Sequence, residues 1–441
     1  MPFRTAARAF PFFTETRKRV SSLFLRNSAR KTAAHFCWNC SKRLASLATA
    51  TALSIALLMP TAPAQADAGF RNWIASFRAT AVQSGVSGAV YDAAFRNIKD
   101  PDLEVLEKAR FQPEFTAPAW DYFDNRVHEQ SIANGQAMAR KWKPWLDKIE
   151  ARYGVDRYIL LAIWSMESNY GEMLKRDDVM RNVIRSLATL GYGDKKRSKF
   201  ARTQLIAALK ILQTGDIDES HLQGSWAGAM GHTQFIPTSY QAYAVDFDGN
   251  GRRDIWNSVP DALATAANLL KRNGWQPGKT WGYEVALPDG KMPGGSMSLT
   301  KWQSLGVARA SGKPFRNGSD KATLKLPGGR QGPAFLVTRN FSVIKRYNNA
   351  DKYAFAVGLL ADQIAGYGTL VNDWNRPFTK LSFSEKQELQ QRLADHGYYS
   401  GNFDGKIGQA SKDAIMAYQA KVGLTPDGNP SMEVLKTLRR R

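Results

Sequence analysis

Cysteine is nearly absent from the 441-residue sequence: there are two, Cys37 and Cys40, spelling C-W-N-C near the N-terminus. A pair at that spacing can form a redox disulfide or contribute half a metal site, but no second pair accompanies it. Both also precede the cleavage site argued below, so they read as incidental. Beyond them the chain can build neither a disulfide nor a thiolate metal centre, and no cysteine follows the leader's apolar run to carry a lipid anchor. Acidic residues are scarce at the same end, where the first 43 positions hold ten Lys/Arg against Glu15 alone. Nucleic-acid-binding motifs are missing along the whole chain, so the basic composition does not by itself indicate DNA or RNA as a partner.

The basic stretch is followed by the apolar run "LASLATATALSIALLM" and then "PTAPAQA". Ala64-Gln65-Ala66 fits a small-residue cleavage site before Asp67, so residues 1–66 read as a signal peptide. The alternative is a transmembrane anchor, for which the run is barely long enough. The leader is long, and a translation start downstream of Met1 would fit it as well. Export with cleavage implies a periplasmic protein, expected to be a monomer with no stable membrane anchor. Without the leader 51 Lys/Arg oppose 38 Asp/Glu, a net charge of +13. Such a chain is drawn to polyanions and acidic surfaces such as a carboxylate-rich wall.

From Phe70 to about Leu212 the periodicity is mostly helical. "FRNWIASFRATAVQSG" and "NGQAMARKWKPWLDKIEARYG" space apolar residues by three and four and end in glycine. Gly215 to Pro260 is rich in loops. "DALATAANLLKRNG" starts a helix near Asp261. Residues 275–340 are rich in Gly, Pro and Lys, with short β-like runs "YEVALP" and "AFLVTRNF". "NADKYAFAVGLLADQIAG" returns to helix. A linker is expected at 376–380, and residues 381–441 form a separate small module of three short helical runs alternating with Asp-Gly turns.

In "RYILLAIWSMESNYGEML", residues 157–174, Asp156 can cap a helix that ends near Gly171. Leu160, Ile163 and Trp164 stand seven, four and three positions before Glu167, placing a carboxylate on the apolar face of that helix. Desolvation there disfavours the anion, so Glu167 should stay protonated near neutral pH and be able to donate a proton to a leaving-group oxygen. A structural glutamate bonded to backbone or to an arginine is the alternative that spacing leaves open.

Several ordered blocks favour the first reading: "QPEF" (112–115), "AIWSMESNYG" (162–171), "SLATLGY" (186–192), "GSWAGAMGHTQFIPTSY" (224–240), "DFDGNGRRDIW" (246–256) and "RYNNADKYAFAV" (346–357). Together they resemble the lytic murein transglycosylases of the membrane-bound B type, a branch of the lysozyme-like superfamily, across nearly all of 67–375. The resemblance implies a mainly α fold: an α+β lysozyme-like catalytic core with small β elements, plus the three-helix C-terminal module. It implies cleavage of the MurNAc-β-1,4-GlcNAc bond of peptidoglycan glycan strands, with Glu167 as single acid and base and a 1,6-anhydro product. A hydrolase of the usual kind needs a second carboxylate, and no acid in these blocks demands that role.

By residue type, Ser225 would aim Glu167 through a hydrogen bond, Gln234 would meet N-acetyl or hydroxyl groups, and Met230 and Phe235 would offer apolar surface to sugar faces or pack in the core. Tyr347 and Asn348 match the family's Tyr-Asn pair, and Tyr353 a cleft tyrosine. Leu269 stands where the family commonly has a tyrosine, and His232 where it has glutamine or tyrosine.

"DFDGNGRRDIWNSVPD" looks like an EF-hand loop, with Asp246, Asp248 and Asn250 at positions one, three and five, and Gly251 at the turn. Arg252 would contribute its backbone carbonyl. Position twelve is Asn257 rather than a glutamate, and Asp261 is the acid that related enzymes would use to close a lengthened loop. A weak structural calcium site is expected, and the chemistry needs no cofactor. A plain Gly/Asp turn with Asp261 as a helix cap is the alternative.

Residues 381–439 resemble the peptidoglycan-binding type 1 module, through Leu389-Gln390, Gly397-Tyr398, Asp404-Gly405, Ile407-Gly408, Tyr418-Gln419, Gly423-Leu424 and Asp427-Gly428. The usual G-x-x-T is replaced by "NPSME". Such a module raises the local concentration of substrate. Two alternatives remain to the transglycosylase reading: a lysozyme-type hydrolase on the same fold, and a non-catalytic wall-binding protein.

Overall fold

The computed structural model describes residues 67–110 and 118–440. The expected signal peptide, with Cys37 and Cys40, and the "QPEF" block lie outside the described residues. Asp67 caps the first helix, its side chain accepting from the Phe70 amide. Helices α1 (Ala68–Gln83) and α2 (Gly88–Phe95) are followed by α3 (Leu103–Arg110), α4 (Ala119–Asp124), α5 (Glu129–Lys141), α6 (Lys143–Tyr153), α7 (Arg157–Ser168), α8 (Val183–Gly193), α9 (Ser198–Thr214), α10 (Pro237–Tyr243) and α11 (Val259–Arg272). None of the described helices is long and apolar enough to cross a membrane.

Helix α7 is the centre of the core. The Asp156 carboxylate accepts from the amides of Tyr158 (2.7 Å) and Ile159 (3.4 Å), satisfying donors that the first turn leaves free. Leu160, Leu161, Ala162 and Ile163 are fully buried, and each Leu or Ile contributes roughly 1.5–3 kcal/mol by leaving water. The helix stops at Asn169, φ +50°, two residues before the expected glycine, because a short polar side chain tolerates the left-handed conformation.

Packed against α7 is α14 (Asp351–Ile364), preceded by α13 (Arg339–Tyr347). Helix α5 approaches both closely. A Cβ on Gly135 would sit 2.4 Å from Ile364 Cδ1 and 2.6 Å from the Tyr170 hydroxyl, so only glycine fits there.

The short pair β1 (Arg181–Asn182) and β2 (Gln223–Gly224) brings the 224–235 loop towards α8. A five-stranded antiparallel sheet carries β3 (Gly282–Ala286), β4 (Ser296–Ser298), β5 (Ala308–Arg309), β6 (Lys321–Lys325) and β7 (Ala334–Val337) in the order β4-β6-β7-β3-β5, with α12 (Leu299–Ser304) beside it. The two β-like runs of the sequence are its central neighbours, Tyr283 pairing with Leu336 and Val285 with Ala334. Strand β7 is buried on both faces. Ala334 and Leu336 join a small core around Trp302, while Phe335 and Val337 alternate into the main helical core.

The last three helices, α15 (Phe383–Asp395), α16 (Gln409–Val422) and α17 (Met432–Arg439), enclose a core of their own around Leu389, Ile415, Tyr418 and Leu435. Ser382 and Glu385 form a reciprocal capping box at the start of α15. Residues 374–380 are anchored. Trp374 lies in the main core, and Arg376, its side chain 3% exposed, bonds both oxygens of Asp124 at 3.0 and 2.7 Å.

Candidate active site

Glu167 occupies the last turn of α7, half-buried, and its Oε1 accepts the Tyr353 hydroxyl at 2.6 Å. Burial raises its carboxyl from 4.5 to about 7; the Tyr353 bond and the charge of Arg126 act against that rise. At neutral pH the group is therefore poised between acid and base. Tyr353 lies near the start of α14, 4% exposed, and the Tyr347 ring at the end of α13 stacks on it at 6.4 Å. The Tyr347 hydroxyl donates to the Thr233 carbonyl, tying this aromatic pair to the 224–235 loop.

That loop is also braced to α7. The Ser168 hydroxyl donates to the His232 carbonyl at 2.6 Å, and the Gly171 amide donates back to Ser168 at 3.0 Å. His232 Nδ1 accepts from the Trp164 indole at 3.2 Å, which leaves the ring proton on Nε2. Burial pushes this imidazole down to about 4, so it stays neutral. His232 is thus a brace between loop and helix. Gly231 (φ +67°) lets the loop pass against the Ile255 carbonyl, which a Cβ would meet at 2.3 Å. Among the described residues three non-glycines have positive φ, Asn169, Tyr170 and Gln234, and all flank this assembly.

The structure places the expected site residues unequally. Glu167 and Tyr353 are bonded, and Tyr347 joins them by stacking. Asn348 follows Tyr347 as the half-buried C-cap of α13. Gln234 is half-buried, and its side-chain amide donates to the Gly231 carbonyl at 2.9 Å. Ser225 does not form the expected bond to Glu167. Its hydroxyl accepts from the Ala229 amide at 3.1 Å and its amide donates to the Ala229 carbonyl at 2.7 Å, so it closes its own tight turn. Met230 is fully buried and Phe235 3% exposed, rather than presented to a sugar. An isolated antiparallel bridge between the two turns both inward, and Phe235 packs edge-on against Tyr347 at 5.5 Å. Leu269 is buried in α11.

Residues the sequence did not single out are Trp164 and Ser168 as braces and Arg126 as the cation acting on Glu167. Trp164 and Ser168 flank the acid in its own block, but nothing local marks Arg126.

A second carboxyl raised to about 7, Asp362, receives the Trp281 indole at 3.1 Å. It lies nine positions beyond Tyr353 on α14, about 13 Å along the helix, and lines a separate cavity with Asp156 and Tyr158. Among the described residues no carboxylate bears electrostatically on Glu167.

The acidic loop is folded around its own carboxylates. Asp246 accepts the amides of Gly249 (2.8 Å), Asn250 (3.1 Å) and Gly251 (2.9 Å). Asp248 accepts Asn250 and the Ser258 hydroxyl, and Asn250 accepts the Arg252 amide. The fully buried Asp261 accepts the amides of Phe247, Asp248 and Asp254, while Ser258 is the N-cap of α11. Oxygens of Asp246, Asp248 and Asp261 all lie within 4.8 Å of one another.

A mainly helical, lysozyme-like core with one raised carboxyl at the end of its central helix defines the class. The sequence model of the transglycosylase SLT domain matches residues 69–362, and the chain belongs to that family, the lytic transglycosylases. The model of the peptidoglycan binding domain matches residues 384–438. Membrane-bound lytic murein transglycosylase B of Escherichia coli K12 is 30% identical over 252 residues, covering 56% of this chain and 68% of that protein. The structure of SltB3 from Pseudomonas aeruginosa in complex with NAG-anhNAM-pentapeptide is 45% identical, with a TM-score of 0.66, and covers 84% of this chain and 99% of that one. The Escherichia coli lytic transglycosylase Slt35 in complex with calcium is 25% identical with a TM-score of 0.56, covering 68% and 93%.

Proposed function

We propose that this lytic transglycosylase cleaves the MurNAc-β-1,4-GlcNAc bond of peptidoglycan with Glu167 as its single general acid and base. Protonated Glu167 gives its proton to the glycosidic oxygen as the bond to C1 of the muramic sugar breaks. The carboxylate left behind takes the proton of the C6 hydroxyl, whose oxygen bonds to C1. The product is a 1,6-anhydro sugar, and no water is consumed. The observation that carries this reading is a carboxyl raised to about 7 with no partner acid acting on it among the described residues. One group near neutrality can serve both half-reactions.

Tyr353 holds the carboxylate in place. Tyr347, Asn348 and Gln234 line the strand, with Met230 and Phe235 as packing behind them and Ser225 shaping the loop. Asp246, Asp248, Asn250, Asp261 and the Arg252 carbonyl would hold calcium. Their convergent oxygens suit a hard cation, and a cation would offset the burial that lifts the Asp261 carboxyl. That Slt35 was obtained in complex with calcium supports this role, which is structural: it stiffens the loop after Gln234. The C-terminal module retains the chain on the wall, in a periplasm reached through the signal peptide, and the protein acts as a monomer.

Mass spectrometry of digested sacculi tests the reaction. Anhydro-muropeptides are expected; reducing muramic ends would mean hydrolysis, and no cleavage would leave a wall-binding protein.

A further inference from the structure

The C-terminal module is fixed to the turn between α4 and α5 by a dense set of bonds. The Ile407 amide donates to Asn125 Oδ1 at 3.0 Å, and Asn125 Nδ2 donates back to the Ile407 carbonyl at 3.4 Å. Lys412 pairs with Asp121 at 2.7 Å, Lys386 donates to the Asp124 carbonyl at 3.2 Å, and Phe383 stacks on His128 at 4.2 Å.

The Asn125–Ile407 clamp holds two chain neighbours side by side, Arg126 from the core and Lys406 from the module. Both are exposed, and neither forms a salt bridge among the described residues. The surrounding cations are matched: Arg376 by Asp124 and Asp373, Lys412 by Asp121, Arg176 by Asp178. Asp404 is nearby and is the carboxylate that acts on Lys406, so a single negative charge faces the two cations. Partial desolvation lowers the Lys406 ammonium; Asp404 opposes that and Arg126 and Arg176 add to it. Clamping two cations beside a single carboxylate leaves a surplus positive charge that favours a further anion. Arg126 also acts on Glu167, so the pair lies within electrostatic reach of the reacting centre.

We infer that Arg126 and Lys406 form an anion subsite, half from each module, that takes a carboxylate of the peptide stem of peptidoglycan. The inference rests on the proposed substrate. Guanidinium binds a carboxylate through two parallel hydrogen bonds, and the ammonium adds a second charge. The uncharged glycan backbone needs neither, whereas the stem presents free carboxylates. The C-terminal module is thereby part of the recognition surface as well as a tether.

The test measures binding without turnover. The full chain carrying Glu167→Gln is titrated calorimetrically with soluble glycan strands bearing their peptides and with uncharged N-acetylglucosamine oligomers, which carry neither a stem nor a lactyl group. Adding Lys406→Ala should weaken binding of peptide-bearing strands about tenfold, the worth of one charge-assisted hydrogen bond, and leave the oligomers unchanged. Lys406→Glu should weaken the former further. The backbone bonds of Lys406 do not involve its side chain, so an unchanged melting temperature is expected for both. Equal weakening on both substrates, or none on the peptide-bearing one, would overturn the inference. Failure of the cleavage chemistry would show separately, in the product analysis.

Discussion

Glu167→Gln should abolish cleavage and stabilise the fold, the latter only at neutral and alkaline pH. Burial raises the carboxyl from 4.5 to about 7 in the folded chain. Below pH 4.5 the group is protonated in both folded and unfolded chains, and its titration costs no stability. Between 4.5 and about 7 the unfolded chain ionises while the folded one holds its proton, so stability falls as pH rises. Above 7 the whole penalty is present, about 3 kcal/mol at most, since water reaches a half-buried side chain. Glutamine has no such titration, and its carbonyl oxygen can still accept the Tyr353 hydroxyl. The variant should therefore match the native chain at pH 4.5 and exceed it by roughly 2–3 kcal/mol at pH 8. Urea unfolding at the two pH values measures this directly, with sacculus digestion in parallel. Cleavage should fall by several orders of magnitude. Equal stability differences at both pH values would refute the desolvated-acid argument, and retained turnover would refute the role of Glu167.

Tyr353→Phe removes the bond that favours ionised Glu167, so the alkaline limb of the kcat/KM profile should move up by about one pH unit; a shift to lower pH would contradict the assignment. Calcium at a hundred times its Kd should raise stability by about 2.7 kcal/mol, and Asp261→Asn should remove the effect; the melting temperature with calcium or chelator reads both. Arg376→Ala leaves Asp124, 11% exposed at its side chain, with Lys380 at 3.5 Å as its remaining ion partner, and should cost about 3–5 kcal/mol in chemical unfolding. An unchanged midpoint would show that this anchor contributes little.

Short-range signals were legible and long-range ones were not. Asp156 as cap and Glu167 on an apolar face follow from helical spacing alone, and the two β-like runs are neighbours in the sheet. The inward turn of Met230 and Phe235 depends on a bridge between residues five apart, so residue type could not tell a sugar platform from core. Ser225 departs from the expectation because a hydroxyl beside glycines more readily closes its own turn than reaches a distant acid. His232 stood out only as a departure from the family; its bracing role needs Trp164, 68 positions away. The Arg126–Lys406 pair depends on a clamp spanning 282 positions, which no local pattern reports.

Gln234, φ +48°, holds a backbone shape that glycine adopts at lower cost, so glycine there is a natural hit in a screen for heat resistance. The same change removes an amide placed to meet the substrate. Selection for toughness and selection for turnover should therefore pull this position in opposite directions, and a hardened laboratory descendant of this enzyme should be a slow one.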